Sequence, residues 1–203
     1  MNYFVTGIDT DSGKTLVSAI LCEALNADYW KPVQAGLPLD RETVKSLVSN
    51  PSVLYHDEQY FLKLPESPHA AAKLEDIRIE MDCFELPRTE RTLVIEGAGG
   101  CLVPLNQDNF IIEIAARFQS EVVLVADLYL GSINHTLLSV SELRRRGLRL
   151  KGIIFNGERN PQSEEIILHH ADVRCLLRIE KEKEINRQVV RSYADKLLLT
   201  WDA

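Results

Sequence analysis

Cysteine is scarce in this chain and badly placed for metal. Cys22, Cys83, Cys101 and Cys175 form no CxxC pair, and no cysteine–histidine spacing suits zinc. With no secretory segment ahead of them, reduced thiols in a cytoplasmic protein are the expectation. Positive charge is also short: 23 Lys and Arg stand against 30 Asp and Glu, a net charge of -7. That balance argues against a nucleic-acid binder or a membrane-surface protein, while leaving room for a local cationic site. No apolar run approaches membrane-spanning length. Internal repeats, low-complexity tracts and convincing linkers are missing too, so the 203 residues read as one domain, 1–203, with a sizeable core.

What is present is an alternation of short apolar runs with helical patterns. "NYFVT", "DYWKPV", "RTLVIE", "EVVLVADL" and "LKGIIFN" read as strands, and "VRCLLRI" as a weaker sixth. Helices are expected near residues 41–49, 110–118, 133–146, 162–169 and 184–198, besides the one opening at "KTLVSAILCEALNA". Continuous rather than alternating apolar strands imply burial on both faces. Alternation of strand and helix implies a mostly parallel sheet with right-handed crossovers. The expected fold is therefore a three-layer α/β/α domain of the P-loop NTPase kind. Residues 53–86 are the least regular and are expected to pack as loops and short helices beside the sheet.

In such folds ligands bind at the carboxyl ends of the strands. The first strand ends in "GIDTDSGKT", residues 7–15, which resembles a phosphate loop but is one residue too long. Five residues, Ile8, Asp9, Thr10, Asp11 and Ser12, precede Gly13-Lys14-Thr15, where the standard pattern has four. Its backbone N–H groups and the helix that follows favour phosphate oxygens. Lys14 would neutralise phosphate charge, and the Thr15 hydroxyl suits Mg2+.

The second run ends at Lys31-Pro32, where a lysine either snorkels to solvent or points into the site. Asp40, in "DRETVKSL", is a natural N-cap, though either Asp40 or Glu42 could face Mg2+. Glu96 follows "TLVI" directly, in the position of a second Mg2+ ligand, and the glycines of "EGAGG" permit close approach of backbone to ligand. Asn134 and His135 lie in the first turn of a helix after Gly131, where polar residues are commonly caps. Asn156 is either a turn residue or a reader of a base edge.

Taken together, "YFVTGIDTDSGKT", "KPVQAG", "SPHAAA", "VIEGAGG", "LGSINHTLLS" and "GIIFN" resemble the dethiobiotin synthetase family, whose loop also has five residues before Gly-Lys-Thr. The resemblance runs from about residue 2 to residue 156 and weakens beyond. It implies a homodimeric, Mg2+- and ATP-dependent cyclo-ligase acting on 7,8-diaminopelargonic acid and CO2, with active sites at the subunit interface. By the same resemblance Lys14 and Lys31 contact the reacting groups, and Thr10 lies against substrate and phosphate. Asp11, Ser12, Gly13, Lys14, Thr15, Leu16, Glu96 and Asn156 would bind nucleotide. Ala35, Gly99, Leu130, Gly131 and Asn134 would join Thr10, Lys14 and Lys31 around the substrate, Asn134 from the partner subunit. Thr15, Glu96 and an acid placed at Glu42, with Asp40 as the alternative, would hold the metal. Ala35 departs from the family's usual Ser or Thr. A nucleotide-switched ATPase of the partitioning type is the competing reading, but such proteins often carry an additional lysine early in the loop, and residues 8–12 contain none.

Overall fold

The computed structural model describes residues 1–202. Its centre is a seven-stranded sheet in the order β4-β2-β6-β1-β7-β8-β9, every pairing parallel. These strands are β1 (Asn2–Gly7), β2 (Asp28–Trp30), β4 (Tyr55–His56), β6 (Leu93–Gly100), β7 (Glu121–Asp127), β8 (Leu150–Asn156) and β9 (Cys175–Ile179). A second, two-stranded parallel sheet pairs β3 (Val33–Ala35) with β5 (Tyr60–Leu62). The helices are α1 (Lys14–Leu25), α2 (Asp40–Leu47), α3 (Pro68–Leu74), α4 (Glu113–Arg117), α5 (Ser132–Arg145), α6 (Pro161–Ala171) and α7 (Arg187–Trp201).

Side-chain alternation along each strand builds the three layers. Tyr3 and Val5 of β1 face one layer, with Val17 and Leu21 of α1 and Leu197 and Trp201 of α7. Phe4, between them, faces the opposite layer with Ile112, Ile114 and Ala115. In β7, Val123 and Val125 join the α1/α7 side, while Leu124 and Ala126 pack on Val140 of α5 and Ile167 of α6. Tyr3 meets Trp201 edge to face at 4.9 Å, tying the last helix to the first strand. No helix among the described residues is long and apolar enough to cross a membrane.

The three-layer architecture agrees with the sequence pattern; four details do not. The "DYWKPV" run is two strands in two different sheets, because Pro32 has no N–H to extend the main ladder. Its carbonyl instead accepts from Tyr60 N at 2.9 Å, seeding the second sheet. The β6 strand continues through the glycines to Gly100, so Glu96 sits within the strand rather than at its end. The helix expected over 110–118 is only the single turn-and-a-half of α4, and residues 53–86 contribute β4 and β5 as well as α3.

Candidate active site

β1 lies between β6 and β7, and its carboxyl end feeds the loop that opens α1. The loop is closed by its own side chains. Ser12 Oγ accepts from Asp9 N at 3.0 Å and donates to Asp9 O at 2.8 Å. Lys14 folds back over the long stretch, its Nζ donating to Asp9 O at 2.9 Å and Thr10 O at 2.7 Å. Asn156, at the end of β8, donates from Nδ2 to Ser12 O at 2.9 Å. Gly13 caps the helix at φ 94°, and a Cβ there would stand 2.2 Å from Asn156 Nδ2. Both the left-handed backbone and the asparagine behind it require glycine.

Beside the loop is a knot of charges assembled from five elements. Thr15 Oγ1, in the first turn of α1, stands 2.9 Å from Glu96 Oε1 and 3.2 Å from Asp40 Oδ1. Lys31 Nζ is 3.2 Å from Glu96 Oε1 and ion-pairs with Asp40 Oδ2. Tyr29 donates its hydroxyl to Glu96 Oε2 at 2.9 Å. Gln34 Oε1 accepts from Asp40 N at 3.3 Å, fixing the start of α2. Lys14, Lys31 and Glu96 are 5, 6 and 1% exposed, so these charges act with little solvent screening.

Burial disfavours the charged form of both lysines, but the net outcomes differ. It lowers the Lys14 pKa to about 8, against the opposing pull of Glu96. Burial also disfavours the Lys31 ammonium, but Glu96 and Asp40 together outweigh it and leave the pKa above the ordinary lysine value. Tyr29 is driven well above the usual range by burial and then by Glu96, so it stays a donor.

A cleft of about 590 Å3 opens over this knot. Of the residues singled out in the sequence, Thr10, Asp11, Gly13, Lys14, Thr15, Lys31, Ala35, Asp40, Glu96 and Gly99 line it. Ser12 is buried beneath the loop, and the Leu16 side chain packs into the core, leaving only its backbone to face a ligand. Leu130, Gly131 and Asn134 lie exposed at the start of α5, outside the cleft.

Of the two acids proposed at the start of α2, Asp40 lines the cleft and Glu42 does not. Asp40 opens α2 with Leu39 as N-cap, so its carboxylate is not spent on capping and reaches Thr15 and Lys31. Glu42, two residues on, is turned about 200° around the helix. Its exposed side chain lies 3.7 Å from Arg41 Nε. Sequence reasoning missed Tyr29. Tyr29 precedes Lys31 by two residues, and the two-residue period of a strand placing both side chains on one face was the available signal.

A parallel sheet, a phosphate loop at the end of its central strand and a Thr–Asp–Glu–Lys cluster beside it define a P-loop nucleotide-dependent protein. The fold is shared with the MinD septum-site protein of Pyrococcus horikoshii, solved with Mg-ADP (TM-score 0.54, 14% identity, 97% of this chain and 96% of that one). It is shared equally with a plasmid partition protein of Borrelia burgdorferi (TM-score 0.54, 13% identity, 99% and 96%). A protein-family model described as an AAA domain matches residues 1–189. The ATP-dependent dethiobiotin synthetase BioD of Cytophaga hutchinsonii is 53% identical over 201 residues, 98% of each chain. Its counterparts in Christiangramia forsetii and Rhodopseudomonas palustris are 47 and 46% identical, over 96 and 93% of this chain and 95 and 91% of theirs. The chain belongs to the ATP-dependent dethiobiotin synthetase family.

Proposed function

We propose that this protein closes the ureido ring of dethiobiotin on 7,8-diaminopelargonic acid, consuming CO2 and ATP and releasing ADP and phosphate. The observation that carries the reading is Lys31: a buried ammonium kept charged by Glu96 and Asp40, on the wall of the cleft that also holds Lys14 and the phosphate loop. One substrate amine takes up CO2 as a carbamate. The carbamate oxygen attacks the γ-phosphorus, giving a carbamic–phosphoric anhydride and ADP. The second amine attacks the carbonyl carbon and expels phosphate.

The first two partners are both anions, and bringing them together in a poorly screened cleft needs fixed positive charge. Lys31 supplies it on the substrate side. Lys14 supplies it on the phosphate side, where its two carbonyl acceptors still leave a third N–H for a γ-phosphate oxygen. Both charges are in place before the reaction, so they favour the phosphoryl transfer without reorganisation. Thr10 lies on the same wall, its carbonyl holding Lys14. Asn156 would read the base and, through Ser12, steady the loop.

Thr15, Asp40 and Glu96 are the residues that would hold Mg2+. A hydroxyl and two carboxylates form a hard oxygen set small enough to leave room for phosphate oxygens and water, as magnesium prefers. Bound there, the ion would neutralise charge on the β- and γ-phosphates. The exposed leucines Leu102, Leu130 and Leu138, with Ile133, supply apolar area for a homodimer contact around α5. In that dimer the partner subunit's Asn134 would reach the substrate carboxylate. A cytoplasmic location fits small soluble reactants.

The test is direct. Incubation with diaminopelargonic acid, bicarbonate and MgATP yields dethiobiotin, and phosphate release depends on the diamine. Phosphate release indifferent to the diamine, with no dethiobiotin, rejects the ligase.

A further inference from the structure

The cleft has a second wall that the mechanism above does not use. It is made by Ala35 of the small sheet and by residues 65–68, which lead into α3. Glu66 lies on it. Of the other carboxylates lining the cleft, Asp40 and Glu96 are committed to Lys31 and Thr15, and Asp11 rides on the phosphate loop near Lys14. Glu66 alone belongs to the second wall, and among the described residues its carboxylate has no hydrogen bond or ion pair.

Its backbone is held firmly. Gly36, at φ 76°, lets the chain press against the loop, where a Cβ would stand 2.7 Å from Pro65 Cβ. Leu64 N donates to Glu75 Oε1 at 2.9 Å and Glu66 N to Leu64 O at 2.9 Å. Pro65 and Pro68 restrict the chain on either side.

We propose that Glu66 is a substrate-binding residue that takes a protonated amine of the diamine. The inference rests on the diamine being the substrate. Alkyl amines are predominantly ammonium at neutral pH, like the lysine side chain. Such a cation entering beside Lys14 and Lys31 meets like charge. The exposed, unpaired Glu66 carboxylate lining the same cleft holds one amine as the ammonium and leaves the other, neutral, to take up CO2 beside the lysines; the held ammonium gives its proton to solvent before it attacks the carbonyl carbon. Ala35 has no polar side chain to do this, so the charge on this wall comes from Glu66.

The experiment compares wild type with Glu66→Gln. The Michaelis constant for the diamine rises about tenfold, the size expected for losing one charge-assisted hydrogen bond. The constant for ATP and kcat stay within about twofold, since Glu66 touches neither phosphate nor metal ligands. Two monoamine analogues, 7-amino- and 8-aminopelargonic acid, are then tested as competitive inhibitors. One keeps the amine that faces Glu66 and loses affinity for Glu66→Gln by the same factor; the other binds both proteins equally. Glu66→Asp recovers part of the loss. Unchanged binding of the diamine and of both analogues overturns the role of Glu66 while leaving the ring closure standing. A wild-type protein that makes no dethiobiotin overturns both.

Discussion

The low pKa of Lys14 ties nucleotide binding to proton uptake. Burial brings it to about 8 in the free protein. Between pH 7 and pH 8.5 the side chain therefore falls from roughly nine-tenths to about one-quarter protonated. A neutral amine still has two N–H groups for Asp9 O and Thr10 O, so the loop geometry tolerates the change. Phosphate beside Nζ favours the cation, so MgATP binding restores the missing proton. At pH 8.5 binding takes up about three-quarters of a proton, against roughly one-tenth at pH 7. Affinity is correspondingly about tenfold weaker at pH 9 than at pH 7. The sign for folding is the reverse. A lysine with a depressed folded-state pKa opposes folding while charged, and that penalty, about 3 kcal/mol, is relieved as pH rises from about 8 toward the ordinary value. Calorimetric titrations with MgATP in buffers of different ionisation heat measure the uptake at each pH. Lys14→Arg, charged throughout, abolishes the difference. Equal uptake at pH 7 and pH 8.5 in the wild type would refute the reasoning.

Three other outcomes are expected. Lys31→Ala lowers turnover by at least about a hundredfold yet changes nucleotide affinity only slightly, whereas Lys14→Ala impairs both; unchanged turnover in Lys31→Ala removes its proposed role. Asp40→Asn raises the Mg2+ concentration needed for half-maximal activity by about tenfold or more, while Glu42→Gln leaves it alone; the opposite ranking restores Glu42 as the ligand. Tyr29→Phe leaves Glu96 Oε2 without its donor and destabilises the protein by about 1–3 kcal/mol in urea denaturation; an unshifted midpoint shows that the oxygen finds another partner.

Legibility in the sequence followed the range of the interactions involved. The buried runs "NYFVT" and "EVVLVADL" announce strands because a parallel sheet covered on both faces demands unbroken apolar residues. The loop announces itself because glycine, lysine and threonine must be close in sequence to wrap one phosphate chain. Asp40 and Glu42 could not be separated this way. Both sit in a helix's first turn, and the choice depends on where Thr15 and Lys31 stand in space. The short strands β4 and β5 were hidden for a related reason: two or three residues give no period, and their partners lie far along the chain. Glu66 carries no local signature at all, since an exposed glutamate between prolines is an ordinary turn residue until a cleft is seen beside it.

The break at Lys31-Pro32 divides the reaction chamber into two inheritances. The phosphate loop, Lys14, Thr15 and Glu96 hang from the seven-stranded sheet, whereas Ala35 and the approach to α3 hang from β3 and β5. The first of the chain's crossings between the two sheets is a short joint of backbone from β2 to β3, and Lys31 stands on that joint. A lineage can therefore recast the small sheet and the approach to α3 for a different acceptor while the phosphate cradle stays as it is. Grafts that exchange residues 60–68 between relatives, leaving Asp40 in place, should move acceptor preference and spare nucleotide handling.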